Sequence, residues 1–241
     1  MSEYRICIPS KGRAQDITSH KIFKSATLYV PEGEVSQYES VTTNKIVPVP
    51  RQIRGITQTR NWILKNNNTN VFFIDDDLQY CGYVERGWEK YKVRKIKDED
   101  IIKQEIVKLF DICYQMNSKI CEFFTSGNNL TNYSWKPYLF KGVCLGSCMG
   151  VINDGEYYFN EEYEVKEDYE LSLRHIKDKG LTVRSNIIFM QHEHTQMAGG
   201  CRDSKRLEKE KTAIIKLNSE YPGYIKSAKH RGTSFAIQLN I

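Results

Sequence analysis

The sequence predicts an α/β domain with a mostly parallel central sheet flanked by helices. Short apolar runs rich in Val, Ile, Phe and Tyr recur along the chain and read as buried strands. Segments of helical period alternate with them, which is the pattern of strand–helix–strand units. One of the apolar runs ends in three consecutive carboxylates, and ligands of open α/β sheets bind at the carboxyl ends of strands.

Residues 4–8 (Tyr-Arg-Ile-Cys-Ile) form the first strand, stopped by the basic turn Pro9-Ser10-Lys11-Gly12-Arg13. Residues 26–30 form a second strand, ended by Pro31-Glu32-Gly33, and 46–49 a short third. Thr57–Lys65 reads as a helix that Asn66-Asn67-Asn68 ends. The strand 71–74 (Val-Phe-Phe-Ile) follows, with no polar alternation. Residues 98–118 make the clearest helix, capped by Asp98 with a stripe of Ile101, Ile102, Ile106, Leu109, Phe110 and Cys113. Residues 120–125 and 143–152 read as strands around an Asn-rich stretch, and 168–179 as a helix closed by Gly180. A strand at 183–190, a charged helix at 204–218 and a strand at 233–239 complete the chain. No repeat or linker divides it, so 1–241 is read as one domain.

Composition narrows the class. The 40% hydrophobic and 27% charged content is that of a folded water-soluble domain, and no apolar run has the length of a membrane span. The polar start Met1-Ser2-Glu3-Tyr4 leads straight into a strand, which argues against a secretory leader. Seven cysteines, an odd number placed mostly in apolar runs, point to reduced thiols and a cytoplasmic setting. The net charge of +5 is modest, but its distribution is uneven. Residues 85–97 hold Arg86, Lys90, Lys92, Arg94, Lys95 and Lys97 against Glu85 and Glu89, with Trp88 and Tyr91 interleaved. The tail 201–241 is basic as well. Such charge suits phosphate, and aromatic rings stack on exposed bases; the plainer reading is a solvated basic surface.

Five constellations carry candidate chemistry. Asp75, Asp76 and Asp77 repel one another at a buried strand end, so a cation is expected there, and Asp75 and Asp77 alternate to present oxygens to Mg²⁺ or Mn²⁺. Ser10-Lys11-Gly12-Arg13 allows close backbone approach and offers charge to phosphate. Thr59, Arg60 and Asn61 lie in the helix before the acidic strand, where they could face the nucleotide side of the sheet; read alone, Arg60 is an ordinary surface arginine. Glu167-Asp168 opens a helix, where carboxylates favour the dipole or serve as a base. Two imidazoles at i and i+2, His192 and His194, share a face past a strand.

In chain order, this basic glycine turn, Arg-Asn helix, Asp-x-Asp strand end, Glu-Asp helix start and late His-x-His resemble the GT-A-fold glycosyltransferases. More narrowly, Ile8-Pro9-Ser10-Lys11-Gly12-Arg13, Phe73-Ile74-Asp75-Asp76-Asp77, Glu167-Asp168-Tyr169-Glu170 and His192-Glu193-His194 resemble the glycosyltransferases that act on hydroxymethylated pyrimidines in phage DNA. The resemblance spans about residues 4–200. It implies a single GT-A-like (Rossmann-type) domain with a nucleotide-sugar half (1–80), an acceptor and catalytic half (81–200) and a basic extension (201–241).

The resemblance also implies roles. Pro9, Ser10, Lys11, Gly12, Arg13, Arg60, Asp75 and Asp76 would hold a uridine diphosphate sugar. Asp77, Asp75 and His192 or His194 would hold Mn²⁺ or Mg²⁺. Asp168, beside Glu167, would deprotonate the acceptor hydroxyl, 5-hydroxymethylcytosine or another hydroxymethylated base in DNA. Arg86, Trp88, Lys90, Tyr91, Lys92, Arg94 and Lys95 would contact that DNA. No membrane or protein partner is implied, and a phage-encoded chain would work in the host cytoplasm. The other readings of the same residues are a glycosyltransferase for glycans or lipids, a nucleotidyltransferase, and a nucleic-acid-binding protein without catalysis.

Overall fold

Val71, Phe72, Phe73 and Ile74 are buried on both sides of their strand, as an unbroken apolar run requires. The computed structural model describes residues 3–86, 91–125, 133–193, 206–231 and 234–240. Its strands are β1 (Tyr4–Pro9), β2 (Thr27–Pro31), β3 (Lys45–Val49), β4 (Asn70–Ile74), β5 (Leu78–Arg86), β6 (Tyr91–Ile96), β7 (Ile120–Thr125), β8 (Tyr138–Leu139), β9 (Cys148–Val151), β10 (Val183–His192), β11 (Ile225–Arg231) and β12 (Ser234–Leu239). Its helices are α1 (Ser19–Ile22), α2 (Val35–Glu39), α3 (Gly55–Lys65), α4 (Glu99–Gln115), α5 (Glu167–Lys179) and α6 (Arg206–Glu220).

The main sheet runs β3-β2-β1-β4-β9-β7-β10-β5-β6, with β8 beside β10. Strands β1 to β4 pair in parallel, as do β7 and β10. Along the path only β9 and β5 oppose the common direction, so the expected α/β fold with a mostly parallel sheet is present. The inserted β9 has a direct consequence for the site. Because it runs backwards between β4 and β7, the loop that enters it lies at the carboxyl ends of both neighbours.

Alternation along β4 builds two cores. Phe72 and Ile74 face the layer containing Ile102, Ile106, Leu109 and Phe110 of α4. Val71 and Phe73 face Ile63 and Leu64 of α3 and Leu171 of α5. The expected caps are in place: Asp98 accepts the Asp100 N–H at 2.9 Å, and Gly180 closes α5 at φ 80°. The six described cysteines are buried free thiols. No helix among the described residues is long and apolar enough to cross a membrane.

Three elements differ from the sequence reading. The strand expected at 143–152 is confined to 148–151, because Leu145 N–H goes to the buried Glu122 carboxylate (2.8 Å) rather than to a ladder. Within the basic stretch, residues 85–86 lie in β5 and 91–96 in β6, an antiparallel pair at the sheet edge. The tail holds β11 as well as β12, paired as a separate two-stranded sheet.

Candidate active site

Each of the three carboxylates after β4 has its own protein cation or imidazole. Asp76 turns inward, 5% exposed; its carboxylate accepts from Ser10 Oγ (2.5 Å) and pairs with Arg13 Nη1 (2.8 Å). Its carbonyl accepts the N–H groups of Thr18 and Ser19. Burial pushes Asp76 above the usual carboxylate range, against the Ser10 hydroxyl and Arg13. Tyr38 braces this turn, with its hydroxyl 2.7 Å from Ser10 Oγ and accepting the Arg13 N–H. Ser10 and Arg13 therefore spend their polar groups on Asp76, while Lys11 is exposed and Gly12 takes φ +66°, a conformation glycine adopts without cost. Pro9 ends β1 in the core behind them.

Asp75 faces the opposite side. Its carboxylate is 34% exposed and pairs with Arg60 Nη2 at 3.1 Å. Ser19 fixes the backbone of the acidic turn by donating to the Asp75 carbonyl (2.5 Å) and accepting the Leu78 N–H (2.9 Å).

Arg60 is no surface residue. It is 3% exposed and lies with its guanidinium over Phe73 and Phe159. Besides Asp75 it holds Glu167 Oε1 (2.6 Å) and the Gly146 carbonyl (2.8 Å). A Cβ on Gly146 would come within 2.3 Å of Arg60 Nη1, so a side chain at that loop position would have to displace the guanidinium. Neighbouring Asn61 exchanges hydrogen bonds with the Phe159 backbone, both at 2.8 Å, and Thr57 Oγ1 donates to the Tyr163 carbonyl. The polar residues of α3 thus hold the segment that leads into α5.

At the start of α5, burial and the adjacent Asp168 push the Glu167 carboxyl up to about 7, against the pull of Arg60. Asp168 Oδ2 accepts the Gly146 N–H (3.0 Å) and Oδ1 the Tyr169 N–H (2.9 Å). Each oxygen keeps a lone pair for a substrate. Lys166, the residue before the helix, takes a left-handed conformation at φ 62°. Its ammonium donates to the Phe235 carbonyl (3.0 Å) and approaches the buried Glu210 (3.7 Å).

His192 Nδ1 lies 3.1 Å from Asp77 Oδ1, and both side chains are buried. The register of β10 against β5 places them together, with His192 opposite Leu78. Asp77 and His192 are thus in contact with each other, and Asp75 is the more exposed carboxylate of the same turn; carboxylates are the donors a hard divalent cation takes. Among the described residues no three His, Cys, Asp or Glu side chains gather as a metal-holding group. His194 lies outside the described residues.

The strand end thus collects Ser10, Arg13, Arg60, Asp75, Asp76, Asp77, Glu167, Asp168 and His192. The basic stretch is a separate place with two faces. Lys95 lies over the Tyr80 ring at 4.4 Å, whereas Arg94 lies over Tyr83 and pairs with Glu85. Alternation places Lys92 with Arg94 on the side of Ile96, which packs into the α4 core. Arg86 and Tyr91 pair at the end of the hairpin, and Trp88 and Lys90 lie outside the described residues. Sequence reasoning passed over Gly146, Ser19 and the burial of Arg60. A signal for the last was available: Thr57, Arg60, Asn61 and Leu64 repeat at helical spacing, so Arg60 shares the buried face.

Comparison with known proteins places the chain. No curated protein matches the sequence. Among solved structures, residues 1–349 of TarS from S. aureus align at 12% identity and a TM-score of 0.47, covering 78% of this chain and 60% of that one. The chain therefore spans less than two thirds of the TarS fragment. Mannosyl-3-phosphoglycerate synthase from Rubrobacter xylanophilus aligns at 10% identity and a TM-score of 0.47, covering 100% of this chain and 85% of that one. The family model of the TET-associated glycosyltransferases (TAGT) matches residues 4–200, a span that contains every side chain assembled at this strand end, and the chain belongs to that glycosyltransferase family.

Proposed function

We propose that this glycosyltransferase moves a sugar from a uridine diphosphate sugar to the hydroxyl of a hydroxymethylated pyrimidine, such as 5-hydroxymethylcytosine, in DNA. Family membership supports the glycosyl transfer. The observation that carries the site assignment is Arg60: one buried cation joins Asp75, on the donor side, to Glu167 and the Gly146 loop, on the acceptor side. Glu167 orients Arg60 from its buried position, and Asp168 is the group with lone pairs for an acceptor.

In this reading the acceptor oxygen attacks the anomeric carbon as Asp168 takes its proton. The bond from that carbon to the diphosphate breaks, and the nucleoside diphosphate leaves from the opposite face with inversion. Asp77, with Asp75 and His192, would hold Mn²⁺ or Mg²⁺, which would offset the charge on the departing diphosphate. Arg60 fixes the Asp75 carboxylate throughout. A base in duplex DNA would have to leave the stack to reach Asp168, and Lys95 is the described basic side chain on the hairpin face away from α4.

Melting temperature with uridine diphosphate sugars in Mn²⁺, in EDTA and in Asp77→Ala tests the donor half, because a ligand of the native state alone raises Tm. A rise that EDTA and Asp77→Ala both abolish is expected. Transfer of label to hydroxymethylated DNA, and none to unmodified DNA or to glycans, tests the acceptor half. A rise with nucleoside triphosphates alone would overturn the donor assignment in favour of nucleotidyl transfer.

A further inference from the structure

Ser147 sits at the middle of this site with its hydroxyl unspent. It is 8% exposed, and Oγ has no hydrogen-bond partner among the described residues. Buried polar groups in native folds are paired, so an exception calls for a reason. Loss of solvent without a partner is destabilising, and that cost persists only where something offsets it.

The backbone on either side of the Ser147 hydroxyl is held by hydrogen bonds. Leu145 N–H goes to Glu122 and Gly146 N–H to Asp168. The Gly146 carbonyl accepts from Arg60, and the Ser147 carbonyl accepts the Asp75 N–H at 3.0 Å. The loop is held on both sides, while the Ser147 hydroxyl has no partner among the described residues. Thr125 Oγ1 is also unpartnered, but it alternates with Cys121 and Phe123 toward the α4 core, away from Arg60.

Register fixes where Ser147 points. Cys148 opposes Ile74 and Met149 opposes Phe73 across β4 and β9, so Ser147 comes opposite Asp75. It shares the face of Met149 and Phe73, the face to which α3 delivers Arg60. Directly opposed residues have Cβ atoms about 4.5–5.5 Å apart. Ser147 is therefore next to the exposed carboxylate at the donor end and one residue from the Gly146 N–H that holds Asp168.

We propose that Ser147 is a sugar-contacting residue, whose hydroxyl hydrogen-bonds a hydroxyl of the transferred sugar. The assignment rests on the donor reading above. A serine hydroxyl both donates and accepts, as a sugar hydroxyl does. A site that keeps such a group for its substrate discriminates against substrates that lack the matching hydroxyl.

The test is Ser147→Ala, compared with wild type by thermal shift and titration with UDP, UDP-glucose, UDP-galactose and UDP-N-acetylglucosamine in Mn²⁺. Two results are expected together. Without ligand the variant melts at or above the wild-type temperature, because it loses a hydroxyl that had no partner. UDP binds both proteins equally, while the affinity gained by the best UDP-sugar over UDP falls about tenfold in the variant. A lower melting temperature would show that the hydroxyl was paired and would overturn the proposal. An undiminished sugar-dependent gain in Ser147→Ala would overturn it with the donor reading intact. A wild-type protein that binds neither UDP nor any UDP-sugar would remove the donor reading and this proposal together.

Discussion

Arg60 shows how much a single side chain can decide. Its guanidinium is fixed by Glu167, Asp75 and the Gly146 carbonyl and enclosed by Phe73 and Phe159. Removing one member of a buried ion pair costs about 3–5 kcal/mol, because the other charge is left without compensation. Arg60→Met is accordingly expected to lower unfolding free energy by an amount in that range, read from urea midpoints at constant slope. Gly146→Ala acts on the same group from the other side. Its methyl would enter the space of Nη1 and Nη2, and any retreat of the guanidinium would strain its bonds to Glu167, Asp75 and the Gly146 carbonyl. A loss of about 1–3 kcal/mol is expected for this overpacking, along with weaker nucleotide binding. Wild-type stability in Gly146→Ala would mean that Arg60 is held less tightly than these distances require.

At the scale of elements, helix α5 is pinned to the sheet by a neutral imidazole. His175 is fully buried; its Nε2 accepts the Lys119 N–H at 2.9 Å, and Nδ1 lies 2.8 Å from the Leu181 carbonyl. Burial pulls its pKa down to about 4. The unfolded chain therefore binds a proton between pH about 6.5 and 4 that the native chain refuses, so this histidine's stabilising contribution falls as pH drops through that window. The steepest loss is about 1.4 kcal/mol per pH unit. Glu167, pushed up to about 7, works in the opposite sense, losing stability as pH rises toward 7. The quantity to measure is thus the difference in pH slope between wild type and His175→Gln. A smaller drop on acidification is expected in the variant, and identical slopes would exclude His175 as the cause.

The edge hairpin makes a second prediction at this scale. Lys95 and Arg94 are adjacent in sequence but point to opposite faces. If DNA lies on the catalytic face, Lys95→Glu weakens acceptor binding several-fold more than Arg94→Glu, measured by fluorescence anisotropy at fixed salt. Equal losses would place the DNA elsewhere. The hairpin also marks what the sequence conceals. Apolar strands such as 71–74 and the amphipathic α4 are legible because burial on a face leaves a period in the sequence. An edge strand faces water on its outer side, so β6 reads only as a run of charge. Asp75, Asp77, Asp168 and His192 were legible as chemistry-bearing types at element ends. The division of labour among the three aspartates was not, because it depends on which cation the fold brings to each one.

The whole molecule includes a unit outside the family-matched segment. Helix α6 with β11 and β12 packs Ala213, Leu217 and Tyr221 against Tyr163 and Leu173, so the basic extension covers the approach to α5. Its anchor is Glu210. This carboxylate is 0% exposed, accepts the Phe235 N–H at 2.7 Å and pairs with Arg206 (3.2 Å) and Lys166 (3.7 Å). Lys166 is thereby held in a left-handed conformation that costs a side-chain-bearing residue about 1–2 kcal/mol, directly before Glu167 and Asp168. Glu210→Ala is expected to destabilise the protein by about 3–5 kcal/mol, since it leaves an ammonium and an N–H buried beside an apolar cluster. The two ways of breaking the clamp from Lys166 separate charge from conformation. Both Lys166→Gly and Lys166→Ala lose the ammonium, but glycine adopts φ 62° without strain. Lys166→Gly should therefore be the more stable of the pair by about 1 kcal/mol in urea unfolding. If alanine proves equal or better, the left-handed turn relaxes when the clamp opens, and the C-terminal unit sets the start of α5 by charge alone.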